Sequence, residues 1–319
     1  EKTGEVIVGS AEHGCGLGKR QLCYPTDIFI TSKNVLYIAD SVNKRIQKYN
    51  TEDDIIETVI SEGLFEPISI SVTPETDEIY ILDRINEKKC TVKKLSLNNI
   101  TRNSPYLITV VINAPLDVCY DLFLDKDLNI YIAKEFDVRK WFSPGYFYSI
   151  QIAIYPDILV ESQTRSTIAI YIDDENNNDL YLYDPLYRSS SIQKWSFDSF
   201  IGTEIIPRIT RNADFDRKRI GFTLDCNKNI YFSYAKNDDV KTYVIYQFNQ
   251  ENNRTIVITD SNLSEISAIE FDSYGSLQNR DATGPGALSR SSPVETYQPA
   301  DSTGSGQTAE QGPAGLAYE

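Results

Sequence analysis

The sequence predicts an all-β protein, a β-propeller built from repeated four-stranded antiparallel blades. Three observations predict it. A tyrosine-bearing strand recurs as VLYIAD (35–40), EIYILD (78–83), NIYIAK (129–134), DLYLYD (179–184) and NIYFSY (229–234). Its tyrosines, Tyr37, Tyr80, Tyr131, Tyr181 and Tyr231, lie 43, 51, 50 and 50 residues apart. Apolar and polar side chains alternate with period two in every unit, and no segment has helical periodicity. Short strands at regular spacing without intervening helices imply radial repetition, because one small sheet cannot bury both faces alone.

Each unit reads in the same order. An apolar strand comes first: IFI (28–30), SISV (69–72), LFL (122–124), IAIYI (168–172) and GFTL (221–224). A polar turn follows (TSKN, TPETD, DKDL, DDENNND, DCNK), rich in residues that bond local backbone or preset φ. After the tyrosine strand come RIQKYN (45–50), TVKKLSL (91–97), VRKWF (138–142), SIQKWSF (191–197) and VIYQFN (244–249). Outer strands are expected at ETVI (57–60), YLITVVI (106–112), SIQIAIY (149–155), EIIPRI (204–209) and RTIVIT (254–259).

A sixth unit starts at AIEFDSYGSL (268–277), and GEVIVGS (4–10) resembles the outer strands, so it is expected to close the ring as the outermost strand of the blade begun at Ile266. From Gln278 the composition shifts to Gly, Pro, Ser, Thr and Ala, with no Ile, Phe or Trp in the last 42 residues. Such a segment buries too little apolar surface to offset its ordering entropy. The expectation is five clear blades in a domain over 1–277, an incomplete sixth, and a disordered tail over 278–319. The ring is then gapped, partly closed by residues 278–290, or a five-bladed variant.

The stretch PTDIFITSKNVLYIADSVNKRIQKYN (25–50) resembles an NHL repeat through Pro25, Tyr37, Asp40, Asn43, Arg45 and Ile46. The later units are degenerate. Asp83 and Asp184 keep the strand-end acid, Lys134 and Tyr234 replace it, Arg139 stands in for the arginine, and Pro67 and Pro115 keep the opening proline. The resemblance implies a structural turn at Asp40, Asn43, Arg45, Asp83 and Asp184, with a carboxylate accepting hydrogen bonds from a guanidinium.

With 46 acidic and 31 basic residues the net charge is −15, and no Lys/Arg run interrupts it, which argues against nucleic acid and anionic membranes. RNA binding, known for some NHL domains, would need a basic face. No apolar stretch is long enough to span a membrane as a helix. The chain begins at Glu1 and lacks Met, reading as a processed or excised segment. Among five cysteines, Cys15 and Cys23 are near enough to bridge a loop; Cys90, Cys119 and Cys226 read as buried free thiols. Sequons at Asn99, Asn253 and Asn262 are candidate glycosylation sites and, with that disulfide, fit an extracellular protein or the ectodomain of a larger one.

The sole histidine, His13, lies in the Gly-rich SAEHGCGLGKR (10–20) and cannot build a multi-histidine metal site. The run Asp173–Asp179 offers alternate oxygen ligands of the kind Ca²⁺ takes, but lacks the Gly and terminal Glu of an EF-hand and coincides with an expected polar turn. No catalytic set and no cofactor emerges. The sequence therefore points to a monomeric, non-enzymatic scaffold that binds a protein, peptide or glycan through loops on one face. The alternative is a propeller hydrolase of the lactonase type, using a divalent cation held by Asp, Asn and Glu near the axis.

Overall fold

The computed structural model describes residues 5–9, 15–73, 76, 78–96, 108–116, 118–134, 137–154, 169–174, 179–186, 189–196, 202–206, 221–235, 243–258, 266–271, 277–281 and 287–290. Strand β1 is Glu5–Val8. Blade 1 comprises β2 (Pro25–Ile30), β3 (Val35–Asp40), β4 (Arg45–Asn50) and β5 (Ile55–Ile60). Blade 2 is β6 (Pro67–Val72), β7 (Glu78–Asn86), β8 (Lys89–Ser96) and β9 (Ile108–Leu116). Blade 3 is β10 (Cys119–Leu124), β11 (Ile130–Lys134), β12 (Asp137–Trp141) and β13 (Ser149–Ile154). Blade 4 is β14 (Ala169–Asp173), β15 (Asp179–Leu186), β16 (Ser189–Trp195) and β17 (Thr203–Ile206). Blade 5 is β18 (Phe222–Leu224), β19 (Ile230–Ala235), β20 (Tyr243–Asn249) and β21 (Arg254–Val257). Strands β22 (Ile266–Phe271), β23 (Leu277–Asp281) and β24 (Ala287–Arg290) follow.

In blades 1 to 5 the sheet order follows the chain, antiparallel throughout. The sixth sheet has the order β1-β24-β23-β22, so the N-terminal strand is its outermost member, with Glu5 opposite Arg290. Inner strands β2, β6, β10, β14, β18 and β22 pack each against the next, and β22 against β2 closes the ring.

The side-chain alternation explains where the core sits. The five repeat tyrosines are each at most 2% exposed. Tyr37 packs with Ile70, Val72 and Ile79 of the next blade, and Tyr131 with Ile170, Ile172 and Leu180. Each blade face is thus covered by its neighbour, and each large apolar side chain so buried contributes roughly 1.5–3 kcal/mol. The phenols are satisfied locally: Tyr131 donates to Asp125 Oδ2 and Tyr231 to Asp225 Oδ2, both at 3.1 Å. The turns DKDLN (125–129) and DCNKN (225–229) are built alike. In each the Asp accepts the backbone N–H and side-chain amide of the Asn four residues on, and Leu128 or Lys228 takes φ 62°. Burial first, then the Asp charge, pushes both phenol pKa values far up.

Several expectations change. Of the closures the sequence left open, the one by residues 278–290 is seen: β23 (LQNRD) and β24 (ALSR) complete the sixth blade, so 277–281 and 287–290 carry strands although composition places 278 onward in the tail. Main-chain ladders between β22 and β1 need no apolar side chains, and composition does not report them. Cys90 and Cys119 are not free thiols; they form a disulfide with Cα atoms 6.5 Å apart, linking blade 2 to blade 3. Cys226 is free but exposed, in the turn before β19. Pro115 lies within β9, and Cys119 takes the register place that Pro25 and Pro67 hold opposite the strand-end residue.

Candidate binding face and axial channel

Antiparallel order places the turns between the first and second and between the third and fourth strands at one end of the ring. The middle turns and the blade-to-blade connections lie at the other, here called the connection end. There Asp40, fully buried, accepts from Cys23 N–H (Oδ1, 2.7 Å), Asn43 Nδ2 (Oδ2, 2.8 Å) and Arg45 Nε (Oδ2, 2.7 Å). Arg45 also donates to the carbonyls of Leu17, Gly18 and Gln21, and Asn43 to that of Gly16. Cys15 and Cys23 are disulfide-bonded, so the loop they close is fastened at its neck and across its span.

Asp83 performs the same service in blade 2. Its Oδ1 accepts the N–H groups of Phe65 and Glu66 at 3.0 and 2.9 Å, and Lys93 replaces the arginine as the buried cation. In blade 3 the polarity reverses: Lys134 holds the acid position, and Asp137 supplies the carboxylate at 3.5 Å, with Arg139 also bound to it at 2.8 Å. Asp184 lies on β15, its side chain outside the described residues, as are Asn99, Asn262 and His13. Asn253 is exposed in the turn before β21 at φ 54°. Of the acidic run, Asp173 pairs with Lys228 at 2.7 Å and Asp174 Oδ2 accepts from Lys126 N–H at 3.1 Å; residues 175–178 are not described. Burial and the Asp125 charge raise Asp174 to about 6.

These buttressed loops carry exposed apolar side chains: Leu17 (74%), Tyr24 (57%), Val42 (56%) and Phe65 (52%). Hydrogen bonds tie the loops that bear them to one another through blade 1. Val42 N–H donates to Cys23 O, Leu17 O receives Arg45, and the Ser41 hydroxyl bonds the carbonyl of Pro67, two residues beyond Phe65.

On the axis, a cavity of about 590 Å³, its open mouth included, is lined by the inner strands of all six blades. Asp27, Asp121 and Glu270 project into it. Ser69 Oγ lies 2.8 Å from both Asp27 Oδ2 and Asp121 Oδ1, so its single hydrogen serves one carboxylate at a time. The two aspartates also cap neighbouring blades: Asp27 Oδ2 accepts Ile70 N–H and Asp121 Oδ2 accepts Ile170 N–H, both at 2.9 Å. An inner strand leaves its channel-side N–H groups unpaired, and these carboxylates satisfy them. Glu270 is raised to about 8 by burial first, then by the charges of Asp27 and Asp121, against a lowering bond from Phe271 N–H. Among the described residues, no three His, Cys, Asp or Glu side chains converge closely enough to hold a metal ion.

The sequence reading missed this axial set, although PTD and CYD place an Asp at the same step of two inner strands and Glu270 interrupts an apolar one.

The fold and the strand-end turns define a β-propeller carrying an NHL repeat, and residues 22–49 match the family model of that repeat. No curated protein matches the chain. Among solved structures, a Bacteroides thetaiotaomicron protein of unknown function has TM-score 0.67 at 14% identity, covering 91% of this chain and 76% of its own. A structure of a nidogen/laminin complex has TM-score 0.58 at 14% identity, with 77% and 85% covered. A gluconolactonase from Xanthomonas campestris has TM-score 0.57 at 12% identity, with 85% and 86% covered. At these identities the likeness is one of fold. No described helix is long and apolar enough to cross a membrane.

Proposed function

We propose that the chain is a non-enzymatic binding scaffold that presents loops at the connection end of the propeller to a protein, peptide or glycan. The observation that carries this reading is the exposure of four apolar side chains on loops fixed by Asp40, Asp83 and the Cys15–Cys23 disulfide. Rigid loops lose little conformational entropy on binding, so contact energy appears as affinity. A propeller of similar fold in a nidogen/laminin complex is consistent with such a role. The two disulfides support an extracellular setting, and exposed Asn253 is an accessible glycosylation site there.

The second reading, a cation-dependent lactone hydrolase, is favoured by the axial Asp27, Asp121 and Glu270 and by the fold of the Xanthomonas enzyme. Elemental analysis of the purified protein, with assay of gluconolactone opening, separates the two. The scaffold reading expects no stoichiometric divalent metal and no turnover above background. One metal ion per chain with lactone hydrolysis abolished by Asp121→Asn would overturn it.

A further inference from the structure

The binding reading leaves open which surface and what kind of partner, and the inference drawn here rests on that reading. We infer that Leu17, Tyr24, Val42 and Phe65 form a docking surface at the junction of blades 1 and 2 for an acidic protein segment bearing an apolar or aromatic anchor. Four large apolar side chains, each more than half exposed, sit on backbone that is held rather than loose. Single exposed apolar side chains are ordinary, as at Phe147 (93%) and Ile55 (56%), whereas contiguous exposed apolar groups rimmed by charge mark interaction sites.

The charge of the rim selects the partner. Lys19 lies on the disulfide-closed loop, Lys44 in the middle turn of blade 1, Lys88 in the middle turn of blade 2 and Lys89 at the start of β8. All four are exposed, and none has an ion pair among the described residues. Two other cations of blade 2 at this end are engaged, Arg84 with Glu66 and Lys93 with Asp83, while Arg20 reaches away to Asp54 in the β4–β5 turn. Among the described residues, exposed Glu62 and Glu87 offset the rim only in part, four cations standing against two exposed carboxylates. In a chain of net charge −15 this is a local reversal of sign, and complementary potential speeds encounter and fixes register. The apolar centre and the repulsion of the whole molecule for phosphate favour a polypeptide over a nucleic acid.

A randomised peptide library displayed on phage, selected against the full chain, tests this. Enriched peptides should carry an aromatic or branched apolar residue flanked by Asp or Glu, and their binding should weaken as salt rises. Affinity should fall about tenfold or more in Leu17→Ser/Phe65→Ser, the scale of losing central anchors. The charge reversal Lys44→Glu/Lys88→Glu should weaken binding too, and it carries the test should the first pair fail to fold. Peptides that bind equally to both variants would overturn the surface while leaving the scaffold reading intact. Failure to enrich any peptide would overturn the surface, and only metal-dependent lactone turnover would remove the scaffold reading as well. A concentration-dependent dimer dispersed by Leu17→Ser/Phe65→Ser would instead assign the surface to a second copy. Binding of a single-stranded RNA oligonucleotide abolished by the charge reversal would assign it to nucleic acid; either result overturns the acidic-peptide partner.

Discussion

Three donors converge on the carboxylate of Asp40, which has no solvent exposure, and one of them is the guanidinium of Arg45 at 5% exposure. Removing one member of such a pair leaves the other charge buried and unpaired, at a cost of about 3–5 kcal/mol. Asp40→Ala should therefore lower the urea midpoint strongly, whereas Asp40→Ala/Arg45→Met should recover part of the loss; equal losses in both would show that the pair is not what stabilises the turn. Glu270 gives a pH signature of opposite sense to an ordinary ion-paired carboxylate. Its folded pKa, about 8, lies above the 4.5 of a free glutamate, so between these values the folded state holds a proton that the unfolded chain has lost. The stabilising contribution is full below about 4.5 and vanishes as pH rises through about 8. Glu270→Gln removes this dependence, and melting followed across that range should show the variant gaining on the parent as pH increases. Parallel curves would refute the assignment.

At the scale of elements, the Cys90–Cys119 bond joins the third strand of blade 2 to the inner strand of blade 3 across 29 residues of sequence. Cys90→Ala/Cys119→Ala should cost about 2–4 kcal/mol, measured by denaturant titration without reductant. A maleimide reagent on the native, unreduced protein should label one thiol, Cys226, and five after unfolding and reduction. Two or more labels in the native state would contradict the pairing. The tyrosine strands explain why such elements were legible in the sequence. Alternation and turn chemistry are local, so β3, β7, β11, β15 and β19 fall where the repeat predicts them. The reversed pair of Lys134 and Asp137 was not legible, because a charge swap between adjacent strands preserves neither residue type nor spacing.

In the whole molecule, one sheet joins strands from early and late in the chain. β1 pairs with β24, and β22 packs on β2, so the last blade is held from both ends of the chain. Truncation after Phe271 should unpair β22 and β1, exposing ladder edges and lowering the melting temperature with loss of a single cooperative transition. A chain ending at Arg290 should melt as the parent does. Equal melting of all three chains would show that the sixth sheet contributes nothing to closure.

The sequence by itself determined the repeat, the tyrosine register, the N-terminal strand as the outer member of the last blade, and the residues Asp40, Asn43 and Arg45 at the first turn. These are consequences of side-chain period and of turn chemistry within one unit. Only the tertiary structure decided what passes between units: the Cys90–Cys119 bond, the carboxylates of Asp27 and Asp121 on the N–H groups of neighbouring blades, and the union of β24 with β1. Each joins groups far apart in the chain through backbone edges or geometry; PTD and CYD mark the two aspartates but not the N–H groups they meet.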